Sequence, residues 1–575
     1  MLARWSLWVV CFLLAAGPAL AETPPVYDQN WEKVGKQIYF DTSLSDPAGQ
    51  SCASCHDPAW GWASPDPVVN AAGAVVPGVV STLAGNRKPP SAAYAGASPV
   101  QYVDADGLVV GGVFWDGRAN GAILGDPLAE QAIGPPVNRV EMHNPNVETV
   151  VWKVIFSSYG ADFLKLYQRY WGESAVPNGF SLEAARASGG TFTLASDVAS
   201  KAYKVIGYAV AAFERSAEVN PFDSRFDQFW DAAGAAGLDV TLITTANFQN
   251  YQGLGLTNDE VRGLAIFNDA TKGNCAACHV LDAGVEGYPL FTDFTYDNLG
   301  VPKNLANPFY TMPADINPLS VDWLDLGVGG ILGDATLWGK QKVPTLRNVD
   351  KRPTGGVKDF THNGFFKTLE EVVHFYNTRD VEVWPAAEVP TTVNDTELGN
   401  LGLNNEEEAL LVLFMKTLSD TSTVSPAINV GMRRLYDPSS GRHLFTISPG
   451  EATALIAMGW QDESSPQPFF VSVSELTGSK PVYRLYNPYT GAHYLTLRAG
   501  ERTALISQGW QADNNQGFMF PTAQAGTSEV YTLYNAGLGD HLYTANPNEL
   551  AWILTNLPTW EQQNSLGFTF RTLPN

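Results

Sequence analysis

The sequence predicts a mainly α-helical part over residues 22–418, built of two similar domains side by side. An α+β or β-rich module of three repeats with pseudo-three-fold symmetry is expected after it. Three observations carry this. Cys52-Ala53-Ser54-Cys55-His56 and Cys275-Ala276-Ala277-Cys278-His279 are two copies of one motif, each preceded by helical patterning. One unit recurs three times after residue 430, and a short polar stretch separates the two kinds of sequence. At roughly 100–200 residues per domain, 575 residues leave room for three or four domains.

Residues 1–21 read as a signal peptide: Arg4 supplies the positive charge, Trp5 to Leu14 the apolar run, and Ala19-Leu20-Ala21 a small-residue cleavage site. That run is short for a membrane span and no later one reaches the needed length, so a periplasmic or secreted protein with no transmembrane segment is expected. A net charge of −24, with no cluster of Lys and Arg, excludes nucleic acid as a partner.

The N-terminal domain is assigned to 22–245 and the second to 246–418. Helical pattern runs from Asn30 to Tyr39 before the first motif. Before the second it runs from Thr257 to Asp269, where Asn258-Asp259-Glu260 suits a helix N-terminus. Cys52, Cys55, Cys275 and Cys278 are the only cysteines beyond the signal peptide, which leaves none for a disulfide framework. Cys-x-x-C-H is the pattern of c-type haem attachment. The two thiols bond the vinyl groups and the next residue offers an imidazole to the iron. A redox pair or half a zinc site explains one Cys-x-x-Cys, but not two copies each followed by His. Two covalently bound c-type haems, with His56 and His279 as proximal ligands, are expected, and the two helical domains are then c-type cytochrome domains.

With further motifs, residues 28–420 resemble the bacterial di-haem cytochrome c peroxidases, and more closely their MauG-type relatives. The motifs are Phe114-Trp115-Asp116-Gly117-Arg118-Ala119, the run from Glu130-Gln131 to Glu141-Met142, and Pro344-Thr345-Leu346-Arg347-Asn348 followed by His362-Asn363-Gly364 and Leu369-Glu370-Glu371-Val372-Val373. The resemblance implies that Gln131, Pro135 and Glu141 line the distal side of the N-terminal, peroxide-binding haem, with Glu141 as the acid/base for O–O cleavage. It sets Trp115 between the haems and Tyr376 as second ligand of the C-terminal, electron-transfer haem, where peroxidases use Met. His374 is the fallback ligand, and His362 has no fixed role. No His or Met lies between Asp57 and Glu141, so the first haem is expected to have an open distal position, with Met142 and His143 the nearest alternatives.

Two departures stand out. Relatives often hold calcium between the haems, but the matching position here is Lys88, and an ammonium cannot ligate a hard cation. The segment from Asp350 to Thr361 also carries extra residues, and a short insertion lies between Trp115 and Gln131. Calcium is therefore doubtful, and a lysine charge is a candidate for its electrostatic role.

Residues 419–428 read as a linker and 429–575 as a binding module. Leu435-Tyr436, Leu485-Tyr486 and Leu533-Tyr534 anchor its units. Each anchor is followed at fixed spacing by Gly (441, 491, 539), His443, His493 or His541, Thr (446, 496, 544) and Glu (451, 501, 549), and then by Trp460, Trp510 or Trp560. A hairpin, a short helix from near the Glu and an aromatic strand are expected in each. The histidines are expected to hydrogen-bond within their own units, with a shared axial metal site as the alternative. A glycan or cell surface is the expected ligand.

Hydrogen peroxide reduction is the leading functional reading, with a small cytochrome c or cupredoxin as donor. A MauG-type oxidase modifying a protein substrate is the first alternative, and a non-catalytic di-haem electron carrier tethered by the repeats is the second.

Overall fold

The computed structural model describes residues 21–176, 194–422, 429–464, 469–472, 478–524 and 527–570. The signal peptide and most of the linker lie outside the described residues. No described helix is long and apolar enough to cross a membrane. The chain divides into two compact units: 1–36, 43–150 and 200–422, which hold both Cys-x-x-Cys-His motifs, and 37–42, 151–199 and 423–575, which hold the repeats.

In the first unit, both motifs sit beside a helix pair in backbone contact. Helix Gln29–Phe40 meets helix Ser196–Glu214 at Gly35, where an added Cβ would lie 1.8 Å from the Ala209 carbonyl oxygen. Helix Asn258–Asn268 meets Asn405–Lys416 at Gly263, where the same atom would lie 2.0 Å from the Leu410 carbonyl oxygen. A side chain larger than hydrogen would push either pair apart.

Helix starts follow local sequence. Thr257 caps Asn258–Asn268 and exchanges hydrogen bonds with Glu260, and Thr368 does the same with Glu371 for Leu369–Thr378. These capping boxes satisfy amide donors that a helix N-terminus leaves open. Phe226, Phe267, Phe291 and Phe414 meet edge to face behind the second motif, with Phe226–Phe291 and Phe267–Phe414 centroids 5.1 and 5.2 Å apart. Such pairs add to plain area burial. Arg347, 1% exposed, forks onto Asp227 at 2.8 and 3.1 Å and packs on Phe222. Removing one partner of a buried pair leaves an uncompensated charge. Outside these helices much of the unit is loop and single-turn 3₁₀ segments, including both attachment motifs.

The repeat region contains three hairpins: Arg433–Asp437 with Arg442–Thr446, Lys480–Tyr486 with His493–Thr496, and Thr527–Asn535 with Asp540–Thr544. Their registers set Tyr436, Tyr486 and Tyr534 opposite His443, His493 and His541. Gly441, Gly491 and Gly539 turn the hairpins at φ of 72°, 76° and 64°, conformations glycine adopts without strain. Helices Pro449–Ala457, Ala499–Ser507 and Pro547–Asn556 follow, and a third strand pairs with each hairpin. Contacts link every unit to the other two. Arg484 reaches Glu451 at 2.7 Å, Arg434 reaches Glu549 at 2.9 Å, and the Leu495 amide donates to the Tyr543 hydroxyl at 2.9 Å.

The repeat histidines depart in part from expectation. His443 Nε2 lies 3.3 Å from Glu463 of its own unit, as expected, but its Nδ1 bonds Asp540 of the third unit at 2.7 Å, because Asp540 is wholly buried and needs a partner. The ring nitrogens Nδ1 of His493 and His541 have no hydrogen-bond partner among the described residues, and burial lowers both pKa values to about 4. Among the described residues the three histidines form no cluster able to hold an ion. Among the described residues, the one group with that geometry is Cys278, Asp297 and Glu397.

Candidate functional site

Both attachment motifs are single 3₁₀ turns, Cys52–Ser54 and Cys275–Ala277, each followed by the second cysteine and the histidine. The two imidazoles are held alike. His56 Nδ1 lies 2.9 Å from the Pro90 carbonyl oxygen and His279 Nδ1 lies 2.8 Å from that of Phe291. A carbonyl can only accept, so the proton sits on Nδ1 and Nε2 keeps its lone pair for a metal. Burial lowers both histidine pKa values, which favours the neutral, ligating form.

Cys275, Cys278, His279 and Tyr376 line one cavity of about 1450 Å³, its open mouth included. Apolar walls, two thiols, a proximal imidazole and a phenol fit a covalently bound haem. Tyr376 is on helix Leu369–Thr378, and its hydroxyl makes no hydrogen bond with the described residues. Burial, and the nearby Cys278 and Cys275, raise its pKa well above the usual phenol range. A cation in the cavity would reverse that. His374, the fallback ligand, is turned away: its Nδ1 lies 3.1 Å from Glu408 and its Nε2 3.4 Å from Glu382.

Around the first motif, Glu141 is half-buried and its pKa is raised by desolvation, against the opposing effects of Arg118 and an Asn138 hydrogen bond. Its charge in turn helps raise the pKa of Cys55, which places it beside the attachment site. Gln131 ends helix Pro127–Ala132, which Asp126 caps through Leu128 and Ala129 amides. Pro135 opens the next 3₁₀ turn and its carbonyl accepts from the Met142 amide, so Gln131, Pro135 and Glu141 belong to one folded loop. Met142 is buried, and His143 Nδ1 lies 3.2 Å from the Asp46 carbonyl oxygen.

Trp115 lines the second-motif cavity, and its indole donates to the Lys88 carbonyl at 3.0 Å, two residues before the Pro90 that holds His56. It therefore connects the two proximal environments. The His362 ring packs against Trp115 at 6.4 Å and lies 4.0 and 3.9 Å from the carboxylates of Asp325 and Glu388.

Sequence reading missed the charged groups around this axis. Arg87 bonds Asp116 and forks onto Asp325 at 2.6 Å, which holds the Asp325 pKa well below the usual carboxylate range. Burial of Glu214, near Cys52, pushes its carboxyl up to about 8, and Lys342, also lining the cavity, is lowered to about 7. Asp116 belongs to the Phe114–Ala119 motif, but the others are far apart in sequence and carry no motif; only the fold brings them in.

The residues present do not fit calcium. The Lys88 ammonium bonds the Asp359 backbone oxygen and lies 3.2 Å from its carboxylate. Lys358 sits 3.1 Å from the Trp60, 2.8 Å from the Asn348 and 3.2 Å from the Lys351 carbonyl oxygens. Oxygen donors that would suit a hard cation are already turned on ammonium groups.

Two attachment turns with correctly polarised imidazoles define a di-haem c-type oxidoreductase. The family model described as "Di-haem cytochrome c peroxidase" matches residues 29–235. Methylamine utilization protein MauG of Paracoccus denitrificans is 31% identical over 423 residues, covering 71% of this chain and 92% of its own. Cytochrome-c peroxidase IdrP2 of Denitromonas iodatirespirans is 26% identical over 407 residues, covering 67% and 81%. The crystal structure of the diheme peroxidase BthA from Burkholderia thailandensis shares 30% identity at a TM-score of 0.52, over 69% of this chain and 88% of that one. The chain belongs to the di-haem cytochrome c peroxidase and MauG family, is an oxidoreductase and binds two c-type haems. Residues 431–570 match a domain of unknown function, DUF5648.

Proposed function

We propose that this enzyme reduces hydrogen peroxide to water at the N-terminal haem, with two electrons delivered by way of the C-terminal haem and two protons taken from solvent. The observation that carries the reading is Glu141, half-buried near the first attachment motif with its carboxyl pKa raised by desolvation. When bound, the haem iron supplies the peroxide-binding position and the redox chemistry. Glu141 takes the proton from the near peroxide oxygen and returns it to the far one, which leaves as water. A carboxyl raised toward neutrality suits both halves of that transfer. Gln131 and Pro135 shape the same side of the pocket, with Gln131 a hydrogen-bond partner for peroxide. Trp115 couples the two haems, and Tyr376 ligates the second iron, where a phenolate favours its oxidised states.

A second reading is favoured by Tyr376 together with the lack of any His or Met between Asp57 and Glu141 in the sequence: the electrons come from a side chain of a partner protein, as in a MauG-type oxidase. A periplasmic or secreted location fits the signal peptide. The donor is then a small cytochrome c or cupredoxin, or the protein substrate itself, and the repeats serve a glycan or cell-surface ligand. Steady-state peroxide consumption with a reduced small cytochrome, against side-chain oxidation in a candidate partner, separates the readings. Turnover with neither would contradict both.

A further inference from the structure

Lys358 is 5% exposed and its ammonium makes hydrogen bonds to three main-chain carbonyls, of Trp60, Asn348 and Lys351. An ammonium has three N–H donors and no acceptor. Three carbonyls at 2.8–3.2 Å match that number, whereas a neutral amine would set its lone pair against one of them. The carbonyls come from distant stretches of chain: Trp60 follows the first attachment motif, while Asn348 ends the Leu-Arg-Asn segment beyond the second and Lys351 follows it. Glycine makes the approach possible. Gly61 has a φ of +66°, and an added Cβ would lie 2.8 Å from the Asn348 carbonyl oxygen. Asn348 is itself fixed: it is 1% exposed, and its side chain bonds Asp420 at 2.7 Å. A ring of convergent carbonyl dipoles with no positive charge inside it is unfavourable in a buried place.

We propose that Lys358 is a tethered cation that fills a carbonyl-lined cation site and joins the two haem-bearing regions, so that this chain needs no divalent ion there. Lys88 supports it from the neighbouring residue by neutralising Asp359, which keeps that carboxylate from recruiting a metal. A cation carried on its own side chain cannot be lost to dilution or to a chelator, so the junction is independent of ambient calcium; burial and the Lys88 charge lower the Lys358 pKa to about 7, so the three carbonyls must hold the proton against them.

The test begins with the purified holoenzyme. Elemental analysis is expected to find iron from the two haems and calcium far below one atom per chain, and EDTA is expected to leave the thermal midpoint and the haem spectra unchanged. About one calcium per chain, or a midpoint that falls with EDTA, overturns the proposal. Lys358→Ala is expected to lower the midpoint, and n-propylammonium, potassium or calcium should then restore part of it. Lys358→Met should lower it without rescue, because the thioether fills the space. An Ala variant as stable as the parent, or one indifferent to every cation, also overturns the proposal. If neither variant folds, calcium content and chelator response of the parent decide.

Discussion

The two attachment sites share the lower half of their architecture and differ in the upper half. Each rests on a helix pair brought together at one glycine, Gly35 or Gly263, and each histidine gives its Nδ1 proton to a main-chain carbonyl. On the other side, a half-buried acid, Glu141, stands near the first site, at the end of the loop that begins at Gln131 and Pro135, while a helix presents the Tyr376 phenol to the second. A proton-transfer group suits a site where bonds break. An anionic ligand suits a site that holds charge. Under the proposed function, one scaffold used twice would serve as a reactive site and a storage site through these differing residues.

The sharpest way to break that contrast is Glu141→Gln. It should slow the peroxide reaction by about 10²–10⁴-fold, the usual worth of a positioned acid/base, and leave the second site's spectrum unchanged. Equal loss at both sites would remove the division of labour. The parent rate should also fall as pH drops through the raised Glu141 pKa, because the protonated acid cannot accept the first proton.

Arg347→Met strands Asp227 in the core beneath the second site and should cost about 3–5 kcal/mol of stability, read by denaturant unfolding. Tyr376→Met should raise the potential of the C-terminal haem alone, measured by redox titration; an unchanged potential would mean that Tyr376 is not a ligand. Gly35→Ala and Gly263→Ala should each cost about 1–3 kcal/mol by overpacking. If only one does so, the two pedestals are not equivalent.

Glu214 gives a smaller, pH-dependent difference. Its folded pKa is raised to about 8 from 4.5, so between those values the folded chain holds a proton that the unfolded chain has lost. Stability should therefore decline as pH rises through that window, and Glu214→Gln should flatten the slope.

Legibility followed the range of the interactions. The attachment motifs and the capping of Asn258–Asn268 were readable because each depends on local spacing, whereas Tyr376 was implied by the family resemblance. Tyr376 lines the cavity, whereas His374 pairs with Glu408 and Glu382. The two are only two residues apart, and their directions differ because one turn takes about 3.6 residues. The Arg87–Asp325 pair, Glu214 and the Lys358 cage were not readable: each joins residues that only tertiary structure brings together. Asp540 was missed for the same reason, since its partner His443 lies two repeats away.

Stopped-flow absorbance of the fully oxidised enzyme mixed with one equivalent of hydrogen peroxide tests the central claim most directly. The account predicts rapid loss of a high-spin haem band with no prior reduction, followed by a spectral change at the second haem. No reaction until one electron is supplied would mean that the first iron is closed by a ligand, contradicting the open reactive site.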